Sequence, residues 1–419
     1  MIAIPSIESY APQIHQLSNG REVVCYPSSR TDLVKIDFVT ESGTAYQSKK
    51  LVAGAAESLS SVASDKVDAL GIAELQDEYG IDIQHSVGVL QCCTSFYALR
   101  RNADHLLNFA ESLLREPSFP QDEIDIYRHK RRYDILCSLK TAPEMARRLF
   151  YQGLFGAEHP LGTYAEPDDT EALDRDSLVE HYLLRHRMGD VKFVVSGCVD
   201  DVILSSFEKH FGHEIPSRDL PYLQLSANNL PHSASSYNYP MDSAVQVSLR
   251  IGRILPLRWD DPDYACMMIL TTILGGYFGS RLMKNIRETK GYTYGIYART
   301  QVYRGVIVFY ITSNVSKEHA ADAEHEIFIE MQRLAEELVP EEELEIVKNY
   351  MVGDIMRTVD GPFERSVRYI DMCAAGVTEQ LSLNLQEAAL RECTPEKIKN
   401  LAARFFRPDE MIVCRVGAV

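Results

Sequence analysis

The chain repeats itself. Pro120-Gln-Asp-Glu-Ile-Asp-Ile126 returns as Pro340-Glu-Glu-Glu-Leu-Glu-Ile346, an offset of 220 residues. Eight residues beyond each segment's Ile, Asp134-Ile135-Leu136 matches Asp354-Ile355-Met356. At the same offset Arg187 pairs with Arg407, Gly197 with Gly417 and Val199 with Val419. An ungapped repeat of this length requires two units built alike, and it limits the architecture before any motif is considered.

Local patterns agree with two copies. Val34, Ile36 and Phe38 alternate with Lys35 and Asp37, and Val245, Val247, Leu249 and Ile251 alternate with Gln246, Ser248 and Arg250. Each run predicts a half-buried strand. A helix is predicted after Asn102, a plausible N-cap, carrying Leu106, Leu107, Ala110 and Leu114 up to Pro117. Its counterpart follows Ser316, with Ile327, Met331 and Leu334 at helical spacing. Long helices follow near 122–139 and 341–358, the second presenting Leu344, Val347, Met351 and Ile355 on one face. Strands at 191–195 and 411–416 close the two units. The fold class is therefore α+β: two homologous halves, each an antiparallel sheet with helices packed on one face. The first half spans 1–214 and the second 241–419. Between them, 215–240 carries Pro216, Pro221, Pro231, several serines and Asn228-Asn229, a composition suited to an extended linker.

With 419 residues, 45% hydrophobic and 25% charged, the chain reads as an ordinary globular protein. No apolar run reaches the length of a membrane span, and the first residues lack the basic start and apolar stretch of a secretory signal. A net charge of −17 argues against nucleic acid and leaves basic peptides as attractable partners. Nine cysteines include no Cys-x-x-Cys. Cys25, Cys198 and Cys414 sit in apolar, strand-like runs, and the neighbours Cys92 and Cys93 point to opposite faces of a strand. The expected home is the reducing cytoplasm.

The most distinctive stretch is SRLMKNIRETKGYTYGIYA at 280–298, preceded by Leu274-Gly275-Gly276-Tyr277-Phe278-Gly279. The Gly-rich turn, Ser-Arg-Leu and Arg-Glu-x-x-Gly-x-x-Tyr together resemble the second-half signature of the insulinase/pitrilysin-type metallopeptidases, which include the mitochondrial processing peptidases. In that family the first half carries Gly-x-x-His-x-x-Glu-His, the inverted zinc motif. The corresponding stretch here is Gly54-Ala-Ala-Glu57-Ser-Leu-Ser60-Ser61, flanked by Glu41-Ser42-Gly43 and by Glu78-Tyr-Gly-Ile-Asp-Ile83. On that placement Glu57, Ser60 and Ser61 occupy the degenerate metal-motif positions. The family's third ligand, a glutamate on the long first-half helix, falls near Asp134 or Ile135.

The resemblance implies a processing-peptidase-like (LuxS-type) metallohydrolase fold, with halves arranged as a clamshell around a peptide-sized cavity. It also implies roles for residues. Arg287 and Tyr294 match the pair that holds the scissile peptide and stabilises its oxyanion; a permanent cation and a phenol are suited to that chemistry. Gly275, Gly276, Gly279, Ser280 and Gly291 match the substrate-side loop. Zinc needs about three strong protein ligands and an open position. Serine is a poor ligand and no replacement for a carboxylate base, so no metal is expected in this chain.

Three functions are consistent with this pattern. The chain can be the non-zinc subunit of a two-chain peptidase, lending Arg287 and Tyr294 to a zinc-motif-bearing paralogue, or to a second copy in a homodimer. It can be a structural or peptide-binding homologue, as are the core subunits of the respiratory cytochrome bc complex. It can be an active peptidase with an atypical metal site. Ordinary roles for the pair would be an ion pair between Arg287 and a helix carboxylate, and packing of Tyr294 within a sheet. His210/His213/Glu214, His319/Asp322/His325 and Glu180/His181/His186 have the residue types of displaced metal sites. In each, the spacing favours solvated surface or capping.

Overall fold

In the computed structural model, residues 11–187, 191–213, 223–225 and 235–418 are described. The first half contains β1 (Gln13–Gln16), β2 (Glu22–Pro27), β3 (Leu33–Thr40), α1 (Val52–Leu59), α2 (Ala69–Tyr79), β4 (Asp82–Val87), β5 (Cys92–Leu99), α3 (Ala103–Arg115), α4 (Gln121–Ser138), α5 (Ala142–Phe155), α6 (Arg175–Tyr182), β6 (Lys192–Gly197) and α7 (Asp201–Phe211). The second contains β7 (Ser235–Pro240), β8 (Gln246–Leu255), α8 (Pro262–Thr271), β9 (Thr293–Tyr303), β10 (Val306–Ser316), α9 (Ala320–Glu336), α10 (Glu341–Thr358), α11 (Pro362–Ala375), α12 (Glu379–Glu392), α13 (Pro395–Phe405) and β11 (Ile412–Gly417).

The repeat is visible in the boundaries. The pairs α4/α10, α5/α11 and β6/β11 start and stop 220 residues apart. Strand orders correspond too: β1-β2-β6-β3-β5-β4 in one sheet and β7-β11-β8-β10-β9 in the other. In each, one parallel pair (β2 with β6, β7 with β11) interrupts otherwise antiparallel pairing. Gly197 and Gly417 end the equivalent strands at φ +99° and +128°. A Cβ there would lie 2.1 Å from the Leu33 carbonyl oxygen or 2.2 Å from that of Gln246, so only glycine fits.

The two halves exchange a helix. α5 packs on β8 and β11 of the second sheet, while α11 packs on β6 and β2 of the first. Each sheet therefore has its own helices on one face and its partner's helix on the other. This corrects the half-buried reading of β3: Lys35 and Asp37 are 3% and 0% exposed and form an ion pair of 3.0 Å under α11, where Lys35 also reaches Ser366. On β8, Ser248 is buried and Arg250 lies over the rings of Phe150, Tyr151 and Tyr310. A further tie crosses the halves where Arg304 donates to both oxygens of Glu41 at 2.8 and 2.9 Å.

Two local expectations change. Asn102 makes no cap hydrogen bond to α3; its amide donates to the Tyr79 carbonyl instead. Residues 235–240, read as the end of the linker, form β7 and open the second sheet. Most of the remaining 215–234 stretch, including its prolines, lies outside the described residues. Among the described residues no helix is long and apolar enough to cross a membrane.

Candidate functional site

Arg287 and Tyr294 sit at the end of a segment that departs from α-helical geometry twice. Thr272–Gly276 and Met283–Thr289 are both π-helical, a geometry that recurs at functional sites. Gly275 lies against β9, where a Cβ would come within 2.6 Å of the Ala298 backbone nitrogen. That contact fixes the Gly-rich loop to the sheet, leaving Gly276 and Phe278 exposed. Gly279 is half-buried beside the Tyr277 ring, and Ser280 is 1% exposed. Gly291, at φ +70° with no neighbour near its missing Cβ, turns the chain into β9.

This geometry delivers two polar groups with their donors unspent. Arg287 stacks its guanidinium 4.6 Å from the ring centre of Phe278, and among the described residues it makes no ion pair. Tyr294 is 90% exposed and its hydroxyl has no hydrogen-bond partner among them. Both ordinary roles for this pair are therefore absent. The Tyr277 ring meets Tyr350 of α10 at 5.1 Å, tilted by 33°, adding aromatic surface beside the loop. No hydrogen bond, ion pair or ring contact among the described residues joins Arg287 or Tyr294 to the first half.

In the first half a cavity of about 670 Å³ opens beside α1. Its wall includes Gly54 and Ser58, four residues apart and so on one helical face, together with Tyr127, Arg131 and Asp134 of α4. Two side chains at such positions could share an ion, but glycine offers none and serine a weak one. Glu144, also on the wall, is held by Arg147 and Arg148. The described residues contain no group of three His, Cys, Asp or Glu able to hold a metal, so the donor set does not fit zinc.

Glu57, Ser60 and Ser61 point elsewhere. Ser60 donates to the Glu57 carbonyl, and Ser61 shares a 2.7 Å hydrogen bond with His85. The Glu57 carboxyl is fully enclosed. Thr94 donates to it at 2.5 Å, while Nδ1 atoms of His85 and His186 approach its two oxygens at 3.5 Å each. Burial alone would raise its pKa, but the His85 hydrogen bond and the charges of His186 and His85 outweigh it and hold the carboxyl below its ordinary range. Burial pushes His186 down to about 4, and its ring stacks on Tyr182 at 4.7 Å. His181 contacts the Ser42 carbonyl at 2.9 Å.

The sequence reading of His181 and His186 as solvated surface is thus corrected, since both are buried beside Glu57. His210 is buried as well, paired with Glu111 at 2.5 Å. His319 and Asp322 remain partly exposed, 3.9 Å apart. No spacing rule could have joined His85 and His186 to Glu57, because the contact depends on how β4 and the π-helical turn after α6 meet α1.

Comparison with known proteins agrees with the fold and its resemblance. Residues 172–351 match the family model described as the peptidase M16 inactive domain. An uncharacterized zinc protease of Mycobacterium bovis is 20% identical over 72% of this chain and 69% of its own length. A probable inactive metalloprotease of Bacillus subtilis, YmfF, is 23% identical over 60% of this chain and 56% of its own. Among solved structures, a peptidase M16 inactive domain from Pseudomonas fluorescens superposes with a TM-score of 0.82 at 17% identity, covering 97% of this chain and 98% of that one. The ferredoxin protease FusC, in complex with Arabidopsis ferredoxin, superposes with a TM-score of 0.75 at 13% identity, where 99% of this chain covers only 46% of that protein.

Proposed function

We propose that the chain is a homologue of the M16 peptidases without their zinc ligands, and that it is the non-zinc unit of a two-unit peptidase. In this reading a zinc-motif-bearing paralogue binds the metal and supplies the base. Arg287 and Tyr294 hold the substrate backbone and donate to the oxyanion that forms at the partner's metal.

The carrying observation is the unspent pair: a guanidinium resting on Phe278 with no counter-ion among the described residues, and a phenol almost wholly in solvent. A cation and a hydroxyl kept only for stability would be paired or packed. The substrate class is an extended peptide, and within this reading Gly276 and Phe278 of the Gly-rich loop lie on the substrate side.

Tyr294→Phe tests the assignment, because it deletes one hydroxyl from an exposed ring and leaves packing alone. In the reconstituted complex with the zinc-bearing paralogue, peptide cleavage should fall by about a hundred- to a thousandfold, the usual cost of one oxyanion donor. Assembly is measured separately by co-elution. An assembled variant that cleaves at the wild-type rate removes the catalytic role and leaves a structural or peptide-binding homologue.

A further inference from the structure

A second constellation, independent of Arg287 and Tyr294, lies between α1 and the sheet edge. The hydroxyl of Ser61, in the turn after α1, is 2.7 Å from Nε2 of His85 on β4. The other ring nitrogen, Nδ1, faces Oε1 of Glu57 at 3.5 Å. Thr94 Oγ1 donates to the same carboxylate oxygen at 2.5 Å and lies 3.4 Å from Nδ1, so it fixes the carboxylate against the ring. We propose that Ser61, His85 and Glu57 act as nucleophile, general base and positioning carboxylate in the hydrolysis of small carboxylic esters.

The roles follow from geometry, as they do wherever this trio of groups recurs on unrelated folds. With its proton on Nδ1 facing Glu57, the imidazole presents a lone pair at Nε2 to the Ser61 hydroxyl. The serine–histidine distance is within catalytic reach, and the longer histidine–carboxylate distance is of the kind that tightens when substrate binds. Glu57 is fully enclosed and would touch no substrate; it orients His85 and balances the imidazolium. β4 is the edge strand of its sheet and pairs only with β5. The His85 side chain is 18% exposed and Ser61 8%, so the pair is too enclosed to meet a folded protein, and the proposed substrate is a small ester.

The step balances without a metal or redox partner. Ser61 Oγ bonds to the ester carbonyl carbon as its proton passes to His85 Nε2. Collapse of the tetrahedral adduct breaks the carbon–oxygen bond to the alcohol, which leaves with that proton. Water then attacks the acyl-serine and gives a proton to His85. The carboxylic acid departs and the Ser61 hydroxyl is restored.

The full chain is incubated with a fluorophosphonate, which phosphonylates activated serines, and with 4-nitrophenyl acetate. Label on the tryptic peptide containing Ser61, together with ester turnover that survives a chelator, is the expected result. His85→Gln should slow labelling by at least about a hundredfold, the usual contribution of a general base. Glu57→Gln, of equal volume, should slow it and move its pH midpoint, which a packing role would not do. Folded wild-type protein that leaves Ser61 unlabelled overturns the proposal, whatever the variants do. Labelling indifferent to His85→Gln overturns it equally. Neither result bears on cleavage by the two-unit complex, which is assayed on peptides with zinc present.

Discussion

Glu41→Gln should be among the most damaging single-atom changes in this protein. Arg304 grips Glu41 with two hydrogen bonds, at 2.8 and 2.9 Å, and the side chains are 8% and 5% exposed. Gln91 and Tyr46 donate to the same carboxylate at 2.7 and 3.0 Å, so every acceptor site is in use. Exchanging one oxygen for an amide removes the charge that Glu41 sets against a buried guanidinium and turns an N–H donor toward other donors. Breaking a buried pair from one side costs about 3–5 kcal/mol, against about 0–1 kcal/mol for a pair in solvent. The assay is urea unfolding followed by Trp259, the only tryptophan, which packs on the second-half core. The pH profile supplies a second signature. Burial alone would raise the pKa of Glu41, but hydrogen bonds from Arg304 and Gln91 and the charge of Arg304 bring it below 4.5. This stabilisation is therefore complete above the unfolded pKa and is lost as pH falls through the folded one. Glu41→Gln should flatten that acid slope. A loss under about 1 kcal/mol, with the slope unchanged, would refute the claim that this pair locks the halves together.

Further outcomes are expected. Loaded with excess zinc and desalted, the purified chain should retain far less than one zinc per molecule and cleave no peptide alone; stoichiometric metal with chelator-sensitive cleavage would contradict the donor-set argument. Gly275→Ala forces a Cβ to 2.6 Å from the Ala298 backbone and should cost about 1–3 kcal/mol in chemical unfolding. His186 stays neutral in the fold down to about 4 but protonates near 6.5 when unfolded, so stability should be full above pH 6.5 and fall on acidification toward 4. His186→Phe, which keeps a ring against Tyr182, should remove that decline, as read from unfolding midpoints across the range.

Much of the architecture was legible because a duplication writes the same pattern twice. The repeated helices near 122–139 and 341–358, the apolar face of the second, and the closing strands near 191–195 and 411–416 were all readable in the chain. Helical periodicity shows that a helix has an apolar face but not which sheet receives it, so the exchange of α5 and α11 was hidden. For the same reason Lys35 and Asp37 read as solvent-facing: alternation cannot announce that a helix from the other half covers them. The Arg287–Tyr294 segment was legible as a motif, although its isolation from ion pairs was not. The Glu57 cluster could not be anticipated, because its histidines come from distant segments and converge only through tertiary packing.

The exchanged helices separate what was duplicated from what can fold. Each copy of the repeat, taken alone, leaves bare the sheet face that its sibling's helix covers, and carries a helix with no surface to meet. Cutting the chain between α7 and β7 should therefore yield fragments that are poorly soluble apart and recover together. An ancestor encoding a single copy would have met the same need by trading α5-type helices between two identical subunits. Within one chain the same exchange is intramolecular, so the two halves need not carry the same chemistry.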